Sequence, residues 1–195
     1  MLRKIRSLIS NSDFIGIYDN ALPKKECEIL INQFEKSELC DGCVGRRGKT
    51  VVDPKIKECR QLYNPHFTDG SVISNIIFAR LQSCIKKYSE KYSMNMMAEW
   101  NIHNDYSFQR YVKDGEGYKQ WHCEHGPSPH SAKRILAWMF YLNNAKSGTD
   151  FMHYSSVRAK MGRCVIWPSG FTHMHKSTFN KGLKYIITGW ASYEE

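Results

Sequence analysis

From about Glu99 onward the chain consists of short segments rich in β-branched and aromatic residues, and this pattern constrains the fold more than any other feature. Turn signals such as Asp114-Gly115 and Pro168-Ser-Gly170 separate the segments. The predicted strands are Trp100–Ile102, Tyr106–Val112, Tyr118–Glu124, Ile135–Leu142, Arg163–Trp167 and Lys184–Trp190. Many short strands that follow two helices indicate an α+β domain, with a jelly-roll-like double sheet supported by N-terminal helices.

The N-terminal half carries the helical patterns. Phe14–Tyr18 reads as a short strand, and Pro23 suits the first turn of a helix. The apolar residues of that helix follow at i, i+3, i+4 and i+7, which predicts one buried stripe: Cys27, Leu30, Ile31 and Phe34. Asp69-Gly70-Ser71 can cap a second helix, whose wide apolar face ends near Tyr92.

Residues 40–70 show little periodicity and are rich in Gly, Pro and charged residues. We interpret them as a long loop, and long loops in compact domains are often functional lids. Its basic residues Arg46, Arg47 and Lys49 make it a candidate for a segment that closes over a substrate.

A chain of 195 residues is long enough for one domain with a substantial core. We expect residues 1–98 to supply the first strand, helices and loop, and residues 99–195 to form the core. No segment approaches the ~20 apolar residues of a membrane span, and the N-terminus lacks a secretory apolar core. The formal charge of +9 would favour acidic partners, although a solvated basic surface explains it equally well. We expect a monomer without a membrane partner.

The chain has seven cysteines, and several fall in helix or strand patterns where a small buried residue would serve. This usage favours a reducing, cytoplasmic compartment. Cys40-Asp-Gly-Cys43 has the CxxC spacing, but no second pair follows at zinc-finger distance. Three interpretations of this pair stay open: a chance spacing in a loop, a redox pair and, with less support, a structural zinc site.

His122 and Glu124 lie two residues apart on a predicted strand, so their side chains should project from one face. With His175 they supply two imidazoles and one carboxylate, the facial triad that holds non-haem iron(II) and leaves positions open. Six of the eight histidines lie between residues 122 and 175, so one HxE spacing could arise by chance. His173 also competes with His175 as the third ligand.

Longer blocks make the pattern more specific. FQRYVKDGEGYKQWHCEHG, RILAWMFYLNN, SGTDF, MGRCVIWPSGFTHMHKS and GLKYIITGW occur in the order seen in prolyl-4-hydroxylase-like 2-oxoglutarate/iron(II) dioxygenases, which residues 99–195 resemble. FIGIYDNALPKKECEILINQFEK looks more loosely like the first strand and helix of that family. The resemblance implies a double-stranded β-helix with iron held by His122, Glu124 and His175. The family usually has Asp where this chain has Glu124.

FTHMHKS resembles a family form whose second histidine binds the metal, which favours His175 over His173. The resemblance also implies that Lys184 pairs with the distal carboxylate of 2-oxoglutarate. Further pocket residues that it implies are Tyr141, Tyr111 and, more weakly, Tyr118. Thr188 and Trp190 share the alternation of Lys184 and should line the same interior. The competing interpretation is a strand lysine that extends to solvent.

The resemblance implies an enzyme that uses Fe(II), 2-oxoglutarate and O2 to hydroxylate a C–H bond of a prolyl or other peptidyl residue, releasing succinate and CO2. Ascorbate would serve as reductant. A free amino acid or small metabolite is the close alternative substrate. Nucleic acid is encouraged by the charge but not favoured, because demethylases of bases carry a second arginine that GLKYIITGW lacks. A non-catalytic jelly-roll binding module would need a broken triad, and the triad of this chain looks intact. A zinc hydrolase would ordinarily show HExxH, which this sequence lacks.

Overall fold

A computed structural model describes residues 13–46, 49–63 and 72–194. The helices are Lys24–Glu35, Val72–Tyr92 and the short Pro129–Ala132, with 3-10 turns at Met94–Met96 and Phe171–His173. The strands are β1 Gly16–Tyr18, β2 Cys40–Asp41, β3 Val44–Arg46, β4 Lys49–Val51, β5 Lys57–Glu58, β6 Arg60–Tyr63, β7 Trp100–Tyr111, β8 Gly117–Tyr118, β9 Arg134–Tyr141, β10 Gly148–Phe151, β11 Tyr154–Arg158, β12 Arg163–Pro168, β13 His175–Ser177 and β14 Lys184–Tyr193. No helix in the described part of the chain is both long and apolar enough to cross a membrane.

The strands form a seven-stranded sheet in the order β1-β12-β9-β14-β7-β6-β2 and a three-stranded sheet in the order β11-β10-β13. All their pairings are antiparallel. Strand β14 lies at the centre of the large sheet, with Lys184 opposite Tyr111 on β7 and Ile186 opposite Tyr141 on β9. Two antiparallel sheets after N-terminal helices confirm the predicted α+β jelly-roll architecture.

The large sheet separates two apolar clusters. The outer cluster joins both long helices to the sheet through buried residues such as Phe34, Leu81 and Ile187. The inner cluster lies on the opposite face and includes Tyr111, Tyr141, Phe151, Trp167 and Ile186. Because side chains alternate along a strand, Ile187 of β14 packs outward and Ile186 packs inward. This alternation confirms that the inward face of β14 lines the jelly-roll interior.

The first helix is confirmed, with Cys27, Leu30 and Phe34 buried at the predicted spacing. The second helix runs to Tyr92 as predicted, whereas its predicted cap, Asp69-Gly70-Ser71, lies outside the described residues.

The prediction of a loop over residues 40–70 is wrong for its described part, because residues 40–63 contain the five strands β2 to β6. Their partners are distant in sequence: Arg60 of β6 lies opposite Arg110, and Lys57 of β5 lies opposite Tyr118. Strands of two to four residues are too short to show a period. Residues 64–70 and Arg47 lie outside the described residues, and the proposed closing role stays a prediction.

Two strand predictions also need correction. Trp100–Ile102 and Tyr106–Val112 are parts of one strand, β7. The predicted strand Tyr118–Glu124 is wrong, because the regular strand β8 ends at Tyr118. Beyond it His122 forms only an isolated bridge with His175, and Glu124 lies in a bend. The same-face argument for His122 and Glu124 therefore fails, and other backbone contacts bring these residues together.

Candidate active site

The backbones of His122 and His175 pair directly although the residues are far apart in sequence. The His122 N–H donates to the His175 carbonyl at 3.0 Å, and the His175 N–H donates to the His122 carbonyl at 2.8 Å. This bridge places the two imidazole centroids 4.3 Å apart. His175 begins β13 of the small sheet, where it lies opposite Phe151 of β10. The small sheet thus positions one histidine, and the bridge positions the other.

Glu124 completes the cluster. Its backbone N–H donates to the carbonyl of Ser169 at 3.0 Å, just beyond the end of β12. Its Oε1 lies 3.4 Å from His175 Nε2 and 3.7 Å from His122 Nε2. Burial acts to raise the pKa of Glu124, but the hydrogen bonds from His122 and His175 outweigh it and hold the pKa well below its usual range. The side chain is therefore a carboxylate at neutral pH.

Each imidazole of the cluster has its other nitrogen occupied by a backbone carbonyl. His122 Nδ1 lies 3.0 Å from the carbonyl of Gln120, and His175 Nδ1 lies 2.9 Å from that of His173. In the tautomer that binds a metal, the proton lies on Nδ1, where it satisfies the carbonyl, and Nε2 gives up its hydrogen bond to Glu124 and presents its lone pair to the ion. Burial lowers the pKa of His122 more than the bond to Glu124 raises it, which favours the neutral ring.

This donor set fits a single iron(II). Two imidazoles and one carboxylate place their ligand atoms within 4.8 Å of one another. The set contains no thiolate and no fourth protein ligand among the described residues, which is typical of a catalytic site with open positions rather than a closed structural site.

His173 lies apart from this cluster and has both ring nitrogens engaged. Its Nε2 is 2.8 Å from the carbonyl of Asp13, and its Nδ1 is 2.9 Å from Thr172 Oγ1. The ring also stacks on Tyr154 with centroids 4.9 Å apart. The structure thus gathers His175 rather than His173 with the other two predicted ligands. The assignment of all three as iron ligands remains our prediction.

Lys184 lies at the other end of the same interior. Its side chain is 2% exposed, so the interpretation as a solvent-seeking strand lysine is wrong. Its Nζ lies 4.5 Å from the centroid of the Tyr111 ring. Burial lowers the pKa of Lys184 to about 8. A buried ammonium without a carboxylate partner among the described residues is well placed to receive an anion.

The other predicted pocket residues lie around Lys184 or along the interior. Tyr141 is buried, and its hydroxyl contacts Thr149 Oγ1 at 2.6 Å. The Tyr111 hydroxyl donates to Gln109. Thr188 is half-buried and donates its hydroxyl to the Trp138 carbonyl at 2.8 Å, which commits its proton to the backbone. The roles of these residues toward a cosubstrate stay predictions.

Tyr118, a weaker prediction from the sequence, stacks on His122 with ring centroids 3.6 Å apart. Its side chain therefore covers the metal cluster rather than the Lys184 end. Sequence reasoning missed the contacts of two other residues here. Trp190 Nε1 donates to Glu124 Oε2 at 2.8 Å, and Arg134 lies 3.6 Å above the Trp190 ring. In the sequence, only the alternation that places Lys184 and Trp190 on one face of the strand indicated that Trp190 faces the site.

Comparison with known proteins gives the same chemistry. The family sequence model of the 2OG-Fe(II) oxygenase superfamily matches residues 106–192 of this chain. No match was found among curated proteins. A viral collagen prolyl hydroxylase from Paramecium Bursaria Chlorella virus-1, in complex with 2OG, is similar with a TM-score of 0.70 at 19% identity; the match covers 94% of this chain and 98% of that one.

Two further solved structures share the fold. A prolyl hydroxylase from Trichoplax adhaerens, in complex with a peptide fragment of a hypoxia inducible factor oxygen degradation domain, has a TM-score of 0.70 at 16% identity, over 93% of this chain and 84% of that one. A prolyl-4-hydroxylase from Pseudomonas putida has a TM-score of 0.65 at 13% identity, over 93% of each chain. The cofactors of the chain are therefore Fe(II), 2-oxoglutarate and O2. Residues 106–192 therefore match the 2OG-Fe(II) oxygenase superfamily, and the chain has the fold of the prolyl hydroxylases and is a 2-oxoglutarate-dependent dioxygenase.

Proposed function

We propose that this dioxygenase hydroxylates a prolyl residue of a peptide. The observation that carries the chemistry is the interior of the jelly roll, with His122, Glu124 and His175 at one end and the buried Lys184 at the other. The preference for a prolyl substrate is supported by the shared fold with prolyl hydroxylases, one of them in complex with a peptide fragment. A free amino acid or small metabolite is the alternative.

In this proposal His122, Glu124 and His175 hold the iron, which supplies the oxidation chemistry with O2 and 2-oxoglutarate when bound. Lys184 forms the ion pair with the distal carboxylate of 2-oxoglutarate, and the Tyr141 hydroxyl donates a second hydrogen bond to it. Trp167 and Phe151 pack against His175, with ring centroids 5.0 and 5.9 Å away, and exclude water from that side.

The test is turnover of 2-oxoglutarate to succinate with three substrate panels: proline-rich peptides, free amino acids and oligonucleotides. We expect succinate release coupled to a gain of one oxygen atom in a proline-containing peptide, and we expect ascorbate to sustain the turnover. Coupling to a free amino acid instead would overturn the peptidyl assignment. Coupling to an oligonucleotide would overturn it as well.

We further propose that the protein acts as a monomer in the cytoplasm. All seven cysteines are free thiols, including Cys40 and Cys43, which supports a reducing compartment. Size-exclusion chromatography with light scattering measures the oligomeric state directly. Localisation of a fluorescent fusion tests the compartment.

A further inference from the structure

The jelly-roll interior holds a second buried ammonium, Lys57 of β5. Its residue is 7% exposed, and its Nζ donates to Gln61 Oε1 at 2.6 Å. Gln61 is fully buried and donates its own amide to Cys43 Sγ at 3.0 Å. An ammonium has three N–H donors, and within the described part of the chain Lys57 has only this one neutral partner.

Three carboxylates on or next to the β5–β8 ribbon and the turn before it are committed to other groups. Glu58 pairs with Lys119 at 2.5 Å. Glu116 accepts the backbone N–H of Val112 at 2.5 Å, and Asp53 accepts the backbone N–H of Lys55 at 3.0 Å. A charge buried without a counter-ion is costly, and an incoming anion that pairs with it offsets the cost. Among the described residues Lys57 thus has no carboxylate partner, and an incoming carboxylate would pair with it.

The strand pairings connect Lys57 to the metal cluster through Tyr118. It lies opposite Tyr118 on β8, so the two side chains project from one face of the ribbon. The Tyr118 ring stacks on His122, and Gln61 lies opposite Gln109 on the large sheet. The Lys57 side chain therefore extends from the β5–β8 ribbon, which carries Tyr118, to Gln61 on the large sheet.

The cosubstrate does not account for this cation. One carboxylate of 2-oxoglutarate is expected at the iron and the other at Lys184, which leaves no carboxylate for Lys57. We infer that Lys57, assisted by Gln61, binds a carboxylate of the primary substrate and so selects substrates that are acidic next to the reacting carbon. This inference rests on the proposed function and narrows its substrate class.

Such a carboxylate has two sources: the terminal carboxylate of a free amino acid derivative, or an acidic side chain beside the reacting residue in a peptide. Two matched probe pairs distinguish them. The first pair is N-acetylproline and N-acetylprolinamide. The second is an acetylated and amidated tetrapeptide, Ala-Pro-Asp-Ala, and its counterpart with Asn in place of Asp.

The experiment measures binding of each probe to the anaerobic Co(II)- and 2-oxoglutarate-loaded protein by calorimetry, and substrate-coupled succinate release with Fe(II). We expect the acidic member of one pair to bind at least about tenfold more tightly than its neutral partner. Lys57→Met keeps the length of the side chain and removes its charge. In this variant the ratio of the dissociation constants of the neutral and acidic probes should fall to about one. Lys57→Arg should restore much of the ratio.

Lys119→Met is the matched control, because Lys119 lies next to Tyr118 in the chain and pairs with Glu58 where both side chains are about one-third exposed. It should leave the ratio unchanged. Thermal unfolding of each variant checks that it folds, and Lys57→Gln replaces Lys57→Met if the latter does not. No acid preference in either pair, or a preference that survives Lys57→Met, overturns the inference.

The cosubstrate separates this inference from the proposed function. Lys57→Met should keep substrate-independent turnover of 2-oxoglutarate and its KM for 2-oxoglutarate within about threefold. A KM raised as strongly as in Lys184→Met would place Lys57 in the cosubstrate site and overturn the inference while leaving the dioxygenase chemistry intact. Absence of 2-oxoglutarate turnover in the wild-type protein would instead contradict the proposed function.

Discussion

The two oxygens of Glu124 have different partners. Oε1 faces both imidazoles, whereas Oε2 accepts the indole N–H of Trp190 at 2.8 Å and lies 3.6 Å from Arg134 Nη1. The hydrogen bond from Trp190 fixes the orientation of the carboxylate plane, so that a single oxygen points at the metal position. Because glutamate has one more rotatable bond than aspartate, this external partner reduces the freedom that the longer side chain would otherwise have.

Trp190→Phe should therefore weaken metal binding by about tenfold, since partners that orient a metal ligand commonly contribute this much. The change keeps an aromatic ring under Arg134 and removes the N–H. Co(II) titration monitored by absorbance measures the affinity. In a Glu124→Asp background the shorter side chain should lose the Trp190 contact, so the same substitution should have a smaller effect. Equal effects in both backgrounds would contradict the coupling.

The two rival histidines give a second prediction at the residue scale. His175→Ala should abolish metal-dependent succinate formation, because it removes one imidazole of the cluster. His173→Ala should retain much of the activity, because its ring nitrogens bond to Asp13 and Thr172 rather than to the cluster. Succinate assays and Co(II) titration of both variants check this, and the reverse pattern would overturn the choice of His175.

Lys184 predicts a pH dependence of cosubstrate binding. Burial lowers its pKa to about 8 in the free protein, against about 10.4 for an ordinary lysine. The ammonium that pairs with 2-oxoglutarate is therefore lost as the pH rises through 8, and the dissociation constant should increase by about tenfold at pH 9. Lys184→Arg stays charged and should show no such increase. Calorimetry between pH 7 and 9 makes the comparison.

The lowered pKa of Lys184 also makes the stability of the fold depend on pH. Cosubstrate binding weakens as the pH rises, whereas this contribution to stability increases. Between about pH 8 and 10.4 the unfolded chain binds more protons at Lys184 than the folded chain does. The contribution of this residue to the free energy of unfolding should therefore rise with pH in that window, and Lys184→Met should remove the rise.

Among the elements, the small sheet matters most for the site because β10 supports the strand that begins with His175. Gly148 of β10 leaves no room for a side chain, since a Cβ there would lie 1.9 Å from the Val157 carbonyl oxygen of β11. Gly148→Ala should push β10 and β11 apart, lower the free energy of unfolding by about 1–3 kcal/mol and weaken metal binding.

Chemical denaturation and Co(II) titration measure both effects. Gly45→Ala is the control, because no heavy atom lies within 4 Å of a Cβ at Gly45. It should change stability by less than about 0.5 kcal/mol. A Gly148→Ala protein as stable as the wild type would show that the small sheet adapts more freely than its close contact indicates.

At the scale of the whole molecule, stability and function are divided between the two faces of the large sheet. Leu81 is fully buried in the outer cluster, and Ile186 is 4% exposed in the inner cluster. Leu81→Ala should lower the free energy of unfolding by about 2–5 kcal/mol yet leave 2-oxoglutarate affinity within about twofold. Ile186→Ala should reduce both, because Ile186 lies opposite Tyr141 beside the cosubstrate end. Urea denaturation and calorimetry test the contrast.

The elements with a strong local period were predictable, and the irregular ones were not. The helix Lys24–Glu35 and strands β9, β12 and β14 follow patterns contained within their own residues. Strands β5 and β6 have two and four residues and exist only because β8 and β7 pair with them. The segment after Tyr118 is held by contacts to His175 and Ser169 instead of by a ladder, so the predicted strand there was wrong.

The sequence by itself determined the kinds of group that the site contains and their order along the chain: a paired histidine and glutamate, a distant histidine and a basic residue on an apolar strand. Residue type and local spacing are properties of the chain alone. Only the tertiary structure decided which polar side chains are buried and which of them meet. Lys57 falls in a predicted loop and Lys184 on a predicted strand, yet both are buried, and His173 and His175 look alike as ligands. Burial and proximity depend on pairings between distant strands, and no local pattern records those pairings.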